Sequence, residues 1–177
     1  MNLKKIKIIS TIGIFLLSFL THYLYKWFPN DLFAIFFPVN ESIWEHMKML
    51  FTTVLLYSII EYFLLHYFKI KHHNFFWSIW ITATLSIIIY LTLYMPFYYL
   101  LGNNKIIIFS VLIITIILIQ LISYYILNSK NIKLNYLPII LIIISYIIFG
   151  YLTYYPPKNE LFFDFNEEKY GINNYNI

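Results

Sequence analysis

The residues best equipped for chemistry stand together in Phe37-Pro38-Val39-Asn40-Glu41-Ser42-Ile43-Trp44-Glu45-His46-Met47-Lys48, immediately before a long apolar run. Helical spacing from Asn40 onward puts Glu41, Glu45 and Lys48 in one stripe about 60° wide, with Ser42 and His46 as a second i, i+4 pair. Glu45 and His46 are the candidate catalytic pair for acid–base work. An imidazole titrates near neutrality, and two carboxylates one turn apart raise each other's pKa. His22, Asn40, Glu41, Ser42, Lys48 and Glu61 are the candidate substrate-binding groups. His22, Glu41 and His46 also offer the imidazole nitrogens and carboxylate oxygens that suit a divalent metal. The spacing alone does not favour a metal, because HExxH is absent and the adjacent Glu45 and His46 face different ways on a helix. Capping competes with function: Ser42-Ile43-Trp44-Glu45 fits a capping box, and Asn40 is an alternative cap.

Glu61 stands apart. An acid within a membrane span is costly and marks a candidate functional site, but fifteen residues separate it from His46, about 22 Å along a helix. At matching depth on a later span lies Gln120, with Ser123 a turn beyond, so a Glu61–Gln120 hydrogen bond is the structural expectation. His66, His72 and His73 gather near the same end, beside Lys69 and Lys71, and read as surface histidines.

The elements that must hold these groups are apolar helices. With 177 residues, 61% hydrophobic and 11% charged, and a mean hydropathy of +0.72, the chain is too apolar for a soluble domain. The expectation is an all-α integral membrane bundle of about five transmembrane helices in one domain over residues 1–157, with spans at about 8–25, 47–68, 75–95, 106–127 and 137–155. Within Lys26 to Pro38 the apolar run Leu32-Phe33-Ala34-Ile35-Phe36-Phe37 is too short to span and suits an interfacial or re-entrant piece. Residues 158–177 form a polar, acidic C-terminal tail, whose Leu161-Phe162-Phe163 and Phe165 are able to rest against the surface. Lys4, Lys5, Lys7, Lys69, Lys71, Lys130 and Lys133 outnumber Lys26, Lys48, Lys105, Lys158 and Lys169, which places the N-terminus inside and the C-terminus outside. The opening stretch then lies on the outer face.

Several classes are excluded or unsupported. There is no cysteine, hence no disulfide, thiolate nucleophile or iron–sulfur cluster. No basic stripe suits nucleic acid, and no nucleotide-binding motif is present. The lipid bilayer is the expected partner.

The run Pro38 to Lys48, after a first span ending in His22-Tyr23, resembles a family of small multi-pass membrane proteins from Firmicutes-type bacteria that has no assigned function. The matching residues are Asn40, Glu41, Ser42, Trp44, Glu45, His46 and Lys48. The resemblance implies a multi-pass protein of a bacterial plasma membrane and no particular activity. Three functions follow as alternatives. The leading one is small-molecule or ion binding or transport, or an accessory role, at an outer-face polar site. The others are a membrane-embedded enzyme on a lipid or lipid-linked substrate, using Glu/His acid–base or metal chemistry, and a structural or interaction subunit.

Overall fold

The computed structural model describes residues 1–172. Five helices are long and apolar enough to cross a membrane: α1 (Leu3–Trp27), α3 (Ile43–Tyr67), α4 (Phe75–Leu101), α5 (Lys105–Asn128) and α6 (Leu137–Tyr154), with the short α2 (Asp31–Phe36) between the first two. Their starts follow the local chemistry. The side chain of Asn2 accepts from Lys5 N at 3.0 Å, that of Asn30 from Phe33 N at 3.0 Å, that of Ser42 from Glu45 N at 3.3 Å and that of Asn104 from Ile106 N at 2.9 Å. Each satisfies a backbone donor that a helix start leaves free. Gly102, with φ of 67°, ends α4 in a conformation glycine adopts without strain.

The helices α1, α3, α4 and α5 form a closed ring, α5 returning to pack on α1, while α6 lies outside against α4 and α2. Ile14, Leu50, Phe51, Val54, Ala83, Ile116 and Ile119 fill its interior. Outward-facing Ile12, Leu16, Phe63, Ile143 and Ile147 stay exposed, as a lipid-facing surface requires. A multi-pass membrane bundle results. Gly13 gives α1 and α3 their close approach, because a Cβ there would collide with the Tyr57 ring.

Three element boundaries move from their expected places. Helix α1 starts at Leu3 rather than near residue 8, since Asn2 caps it and carries Lys4, Lys5 and Lys7 into the helix. Helix α3 starts at Ile43 rather than 47, because Ser42 is the cap. Helix α4 passes through Pro96 to Leu101, although proline there removes the backbone donor to Thr92 O and its ring crowds that carbonyl.

After α6 the chain folds back. Strands β1 (Phe163–Asp164) and β2 (Lys169–Tyr170) pair antiparallel, Phe163 opposite Tyr170. The hairpin covers the end of the bundle where α1 finishes and α3 begins, called here the site end. Trp44 N donates to Leu161 O at 2.9 Å and Ile172 N to Thr153 O at 3.1 Å. Phe162 is buried and stacks near Trp44, with ring centroids 4.9 Å apart.

Candidate metal centre

Three elements converge at the site end. Helix α1 carries His22 one turn before its end, the loop between α2 and α3 carries Glu41, and the first turn of α3 carries His46. His22 Nε2 lies 3.5 Å from Glu41 Oε1, and His46 Nε2 lies 3.4 Å from Glu41 Oε2. The two imidazole rings stack with centroids 5.2 Å apart. One candidate ligand atom from each residue falls within 4.8 Å of the other two.

The orientation of His46 is set by its own backbone. Its Nδ1 is 2.8 Å from Ser42 O, and because a carbonyl only accepts, Nδ1 carries a proton and Nε2 is the nitrogen turned to Glu41, where a metal ion would take the place of a proton shared with that carboxylate. That is the arrangement in which a metal-ligating histidine is held by a second partner. Glu41 is fixed from behind: its backbone N donates to Asp164 Oδ2 at 2.8 Å, and Asp164 is fully buried. The same carboxylate accepts from Asn166 N and Glu167 N through Oδ1, so the hairpin clamps the loop. Polar contact from His46, aided by the charges of the neighbouring histidines and Lys26, holds the Glu41 carboxyl below the usual carboxylate range despite its partial burial. Glu41 therefore keeps the anionic form that a cation requires.

Two clefts meet at these residues. One, of about 460 Å³, includes Glu41, His46, Tyr94, Tyr98 and Asn103. The other, of about 540 Å³, includes His22, His46, Phe19, Phe109 and Leu112. A ligand held by the three side chains would face open space on two sides.

The remaining expected site residues lie elsewhere. Glu41 precedes the Ser42 cap, so it is not on the helix and does not share a stripe with Glu45 and Lys48. The buried Glu45 and Lys48 instead form an ion pair of 2.6 Å on the opposite side of α3. Lys48 Nζ also donates to Ala34 O at 2.7 Å and Thr153 Oγ1 at 2.8 Å, while Glu45 accepts from Val39 N at 3.1 Å. These bonds tie α2, α3 and α6 together and leave Glu45 with no free approach to His46. Ser42 is a cap. Asn40 is buried, accepting from Ser42 N at 2.9 Å and donating to Gly171 O at 3.0 Å. Both shape the loop that presents Glu41.

Glu61 sits in the far half of the bundle, and its expected bond to Gln120 is replaced. It is ion-paired with Lys7 and accepts from Ser10 Oγ at 2.7 Å, while Lys7 also donates to Ser123 Oγ. Gln120 Oε1 has no hydrogen-bond partner among the described residues. Lys7 is therefore inside the bundle rather than flanking it. A readable signal for this was the spacing Lys7, Ser10, Ser18, Thr21, a polar stripe at helical period whose members are all buried. Asp164 and Thr153, which position the site end, had no such signal, because their roles depend on chain distant in sequence.

No curated protein and no solved structure matches this chain. A family model does, over residues 1–172, and the chain accordingly belongs to DUF6512, a family of unknown function.

Proposed function

We propose that this protein holds a divalent transition metal, zinc foremost, at the site end of its bundle, ligated by His22, Glu41 and His46, and uses it as a Lewis acid on a ligand in the adjoining clefts. One observation carries the reading: the convergence of the ligand atoms. Ligands bound at 2.0–2.2 Å to a tetrahedral ion are separated by about 3.3–3.6 Å. Glu41 meets His22 through Oε1 at 3.5 Å and His46 through Oε2 at 3.4 Å. One ligand atom from each residue lies within 4.8 Å of the other two, so a small closure about an ion brings all three to bonding spacing. The two Glu41 contacts are long for hydrogen bonds, whose usual N···O separation is about 2.9–3.0 Å. Two imidazoles and one carboxylate are a catalytic zinc set, which keeps a fourth position for water or substrate. Such an ion polarises a carbonyl or phosphoryl oxygen, or lowers the pKa of bound water.

Action in place is favoured over passage of the ion through the bundle. Ile14, Leu50, Val54, Ile116 and Ile119, all buried, occupy the interior between the three ligands and the level of Glu61, and Glu61 is already neutralised by Lys7. The setting we propose is a bacterial plasma membrane with the site end outward. Lys7 and Lys48 drop out of the charge comparison because both are buried in ion pairs. Lys4, Lys5, Lys69, Lys71, Lys130 and Lys133 then face Lys26, Lys105, Lys158 and Lys169, and the positive-inside bias is retained.

Titration of the purified, chelator-treated protein with Zn²⁺ tests the centre. One ion is expected per chain, with affinity lowered about 100-fold or more in His22→Ala and His46→Ala, beyond the 10–100-fold typical of losing an outer partner of a ligand. Equal affinity in wild type and both variants would remove the proposal.

A further inference from the structure

We infer that the ligand of this centre is a phosphate-bearing membrane lipid, its phosphate at the metal and Lys105 and its chain in the cleft between α1 and α5. The inference rests on the metal reading for one of its two anchors. The other anchor is independent. Lys105, the first residue of α5, lines both clefts and has no acidic partner among the described residues. A free ammonium beside a metal ion makes the junction of the clefts strongly positive, which matches a phosphate.

The larger cleft is chemically two-ended. His22, Glu41, His46 and Lys105 stand at one end, and Phe19, Leu50, Phe109 and Leu112 form the other. Phe19 on α1 and Phe109 on α5 stack across the gap between their helices with centroids 5.8 Å apart. Each is 41% exposed, and both lie within spans that face lipid. The apolar end therefore reaches the lipid-facing surface at this ring pair. Inorganic phosphate would leave that wall unused, and a neutral lipid would leave Lys105 unpaired. A lipid phosphate satisfies both, with its acyl chain continuing from the cleft into the membrane.

The test compares three probes on detergent-purified protein by native mass spectrometry: dioleoylphosphatidic acid, dioleoylglycerol and inorganic phosphate. The phosphatidic acid is expected to bind about tenfold or more tightly than either of the others, as one charge-assisted contact suffices to produce. Lys105→Ala should weaken the phosphatidic acid about tenfold and leave dioleoylglycerol unchanged, while Lys133→Ala at the far end changes neither. Phe109→Ala should weaken the phosphatidic acid and leave inorganic phosphate unchanged. Equal binding of phosphatidic acid and dioleoylglycerol would overturn the inference in favour of an unspecific lipid contact. Equal binding of phosphatidic acid and inorganic phosphate would overturn it in favour of an aqueous anion site. Zn²⁺ titration without lipid reads the metal centre separately. Preference for phosphatidic acid that depends on Lys105 but persists in His46→Ala and without zinc would uphold the lipid site while overturning the metal as its anchor. Zinc binding with no preference among the probes would do the reverse.

Discussion

Lys48→Met is expected to lower the unfolding stability of the detergent-solubilised protein by about 3–5 kcal/mol, the usual cost of leaving one member of a buried ion pair alone. The Lys48 side chain has no solvent exposure, and its ammonium has three partners on three elements: the Glu45 carboxylate at 2.6 Å, Ala34 O at 2.7 Å and Thr153 Oγ1 at 2.8 Å. Methionine fills the stem's volume but supplies no donor. The Glu45 carboxylate would then be buried against Val39 N and Thr153 Oγ1 alone, and the α2 and α6 attachments would each lose a bond. Adding Glu45→Gln to Lys48→Met should recover part of the loss, because no isolated charge remains, and a double-mutant cycle measures the coupling. Wild-type unfolding of Lys48→Met would show that the pair does not hold these elements. Neither residue touches the metal ligands, so Glu45→Gln should keep its Zn²⁺ affinity within tenfold of wild type, an outcome that separates a supporting from a metal-ligating Glu45.

The second large effect is stabilisation by the ion itself. A ligand that binds only the folded chain stabilises it by about 4 kcal/mol at a free concentration 1,000 times its Kd. Thermal unfolding with Zn²⁺ at that excess should therefore shift upward in wild type and in His66→Ala, whose imidazole lies at the far end. The shift should fall to about a third of the wild-type value or less in Glu41→Gln and His46→Ala, since a site weakened about 100-fold sees only about ten times its own Kd. Lowering the pH should erode it, since imidazole ligates only when unprotonated and protons compete with the metal. Glu41 adds its own dependence without metal. Its carboxyl is held below the usual range in the fold, so its contribution is present above the ordinary carboxylate value and is lost as pH falls through the depressed folded value. Glu41 is 43% exposed, so screening keeps that contribution small. A zinc-induced shift as large in His46→Ala as in wild type would assign the stabilisation to other groups.

The spans, the presence of a short non-spanning piece before Pro38 and the concentration of chemistry between Pro38 and Lys48 were legible in the sequence, because hydropathy and polarity are local properties; that the short piece is a helix was not. His22, Glu41 and His46 could be named as a metal set from residue type and from the level of two helix ends. Their convergence could not be read, since it depends on where α3 starts. Beginning at Ile43 leaves Glu41 in the loop, free to turn toward His22, while Glu45 turns the other way into Lys48. A helix begun at Asn40 would have grouped Glu41 with Glu45. Lys7 was misplaced for a related reason. A lysine near a chain start looks like a membrane-flanking charge, and only its register with Ser10 and Ser18 shows that it faces the bundle and Glu61. The C-terminal segment was hardest, because the buried Asp164 and the Trp44–Phe162 contact join positions more than a hundred residues apart.

The metal centre is tested most directly by zinc K-edge X-ray absorption on the protein loaded with one equivalent of Zn²⁺. Two imidazole ligands with Zn–N near 2.0–2.1 Å, and oxygen ligands completing a four-coordinate shell, are expected; one imidazole should remain in His46→Ala. A shell of oxygen alone, or two imidazoles persisting in both His22→Ala and His46→Ala, would contradict a centre built from His22, Glu41 and His46.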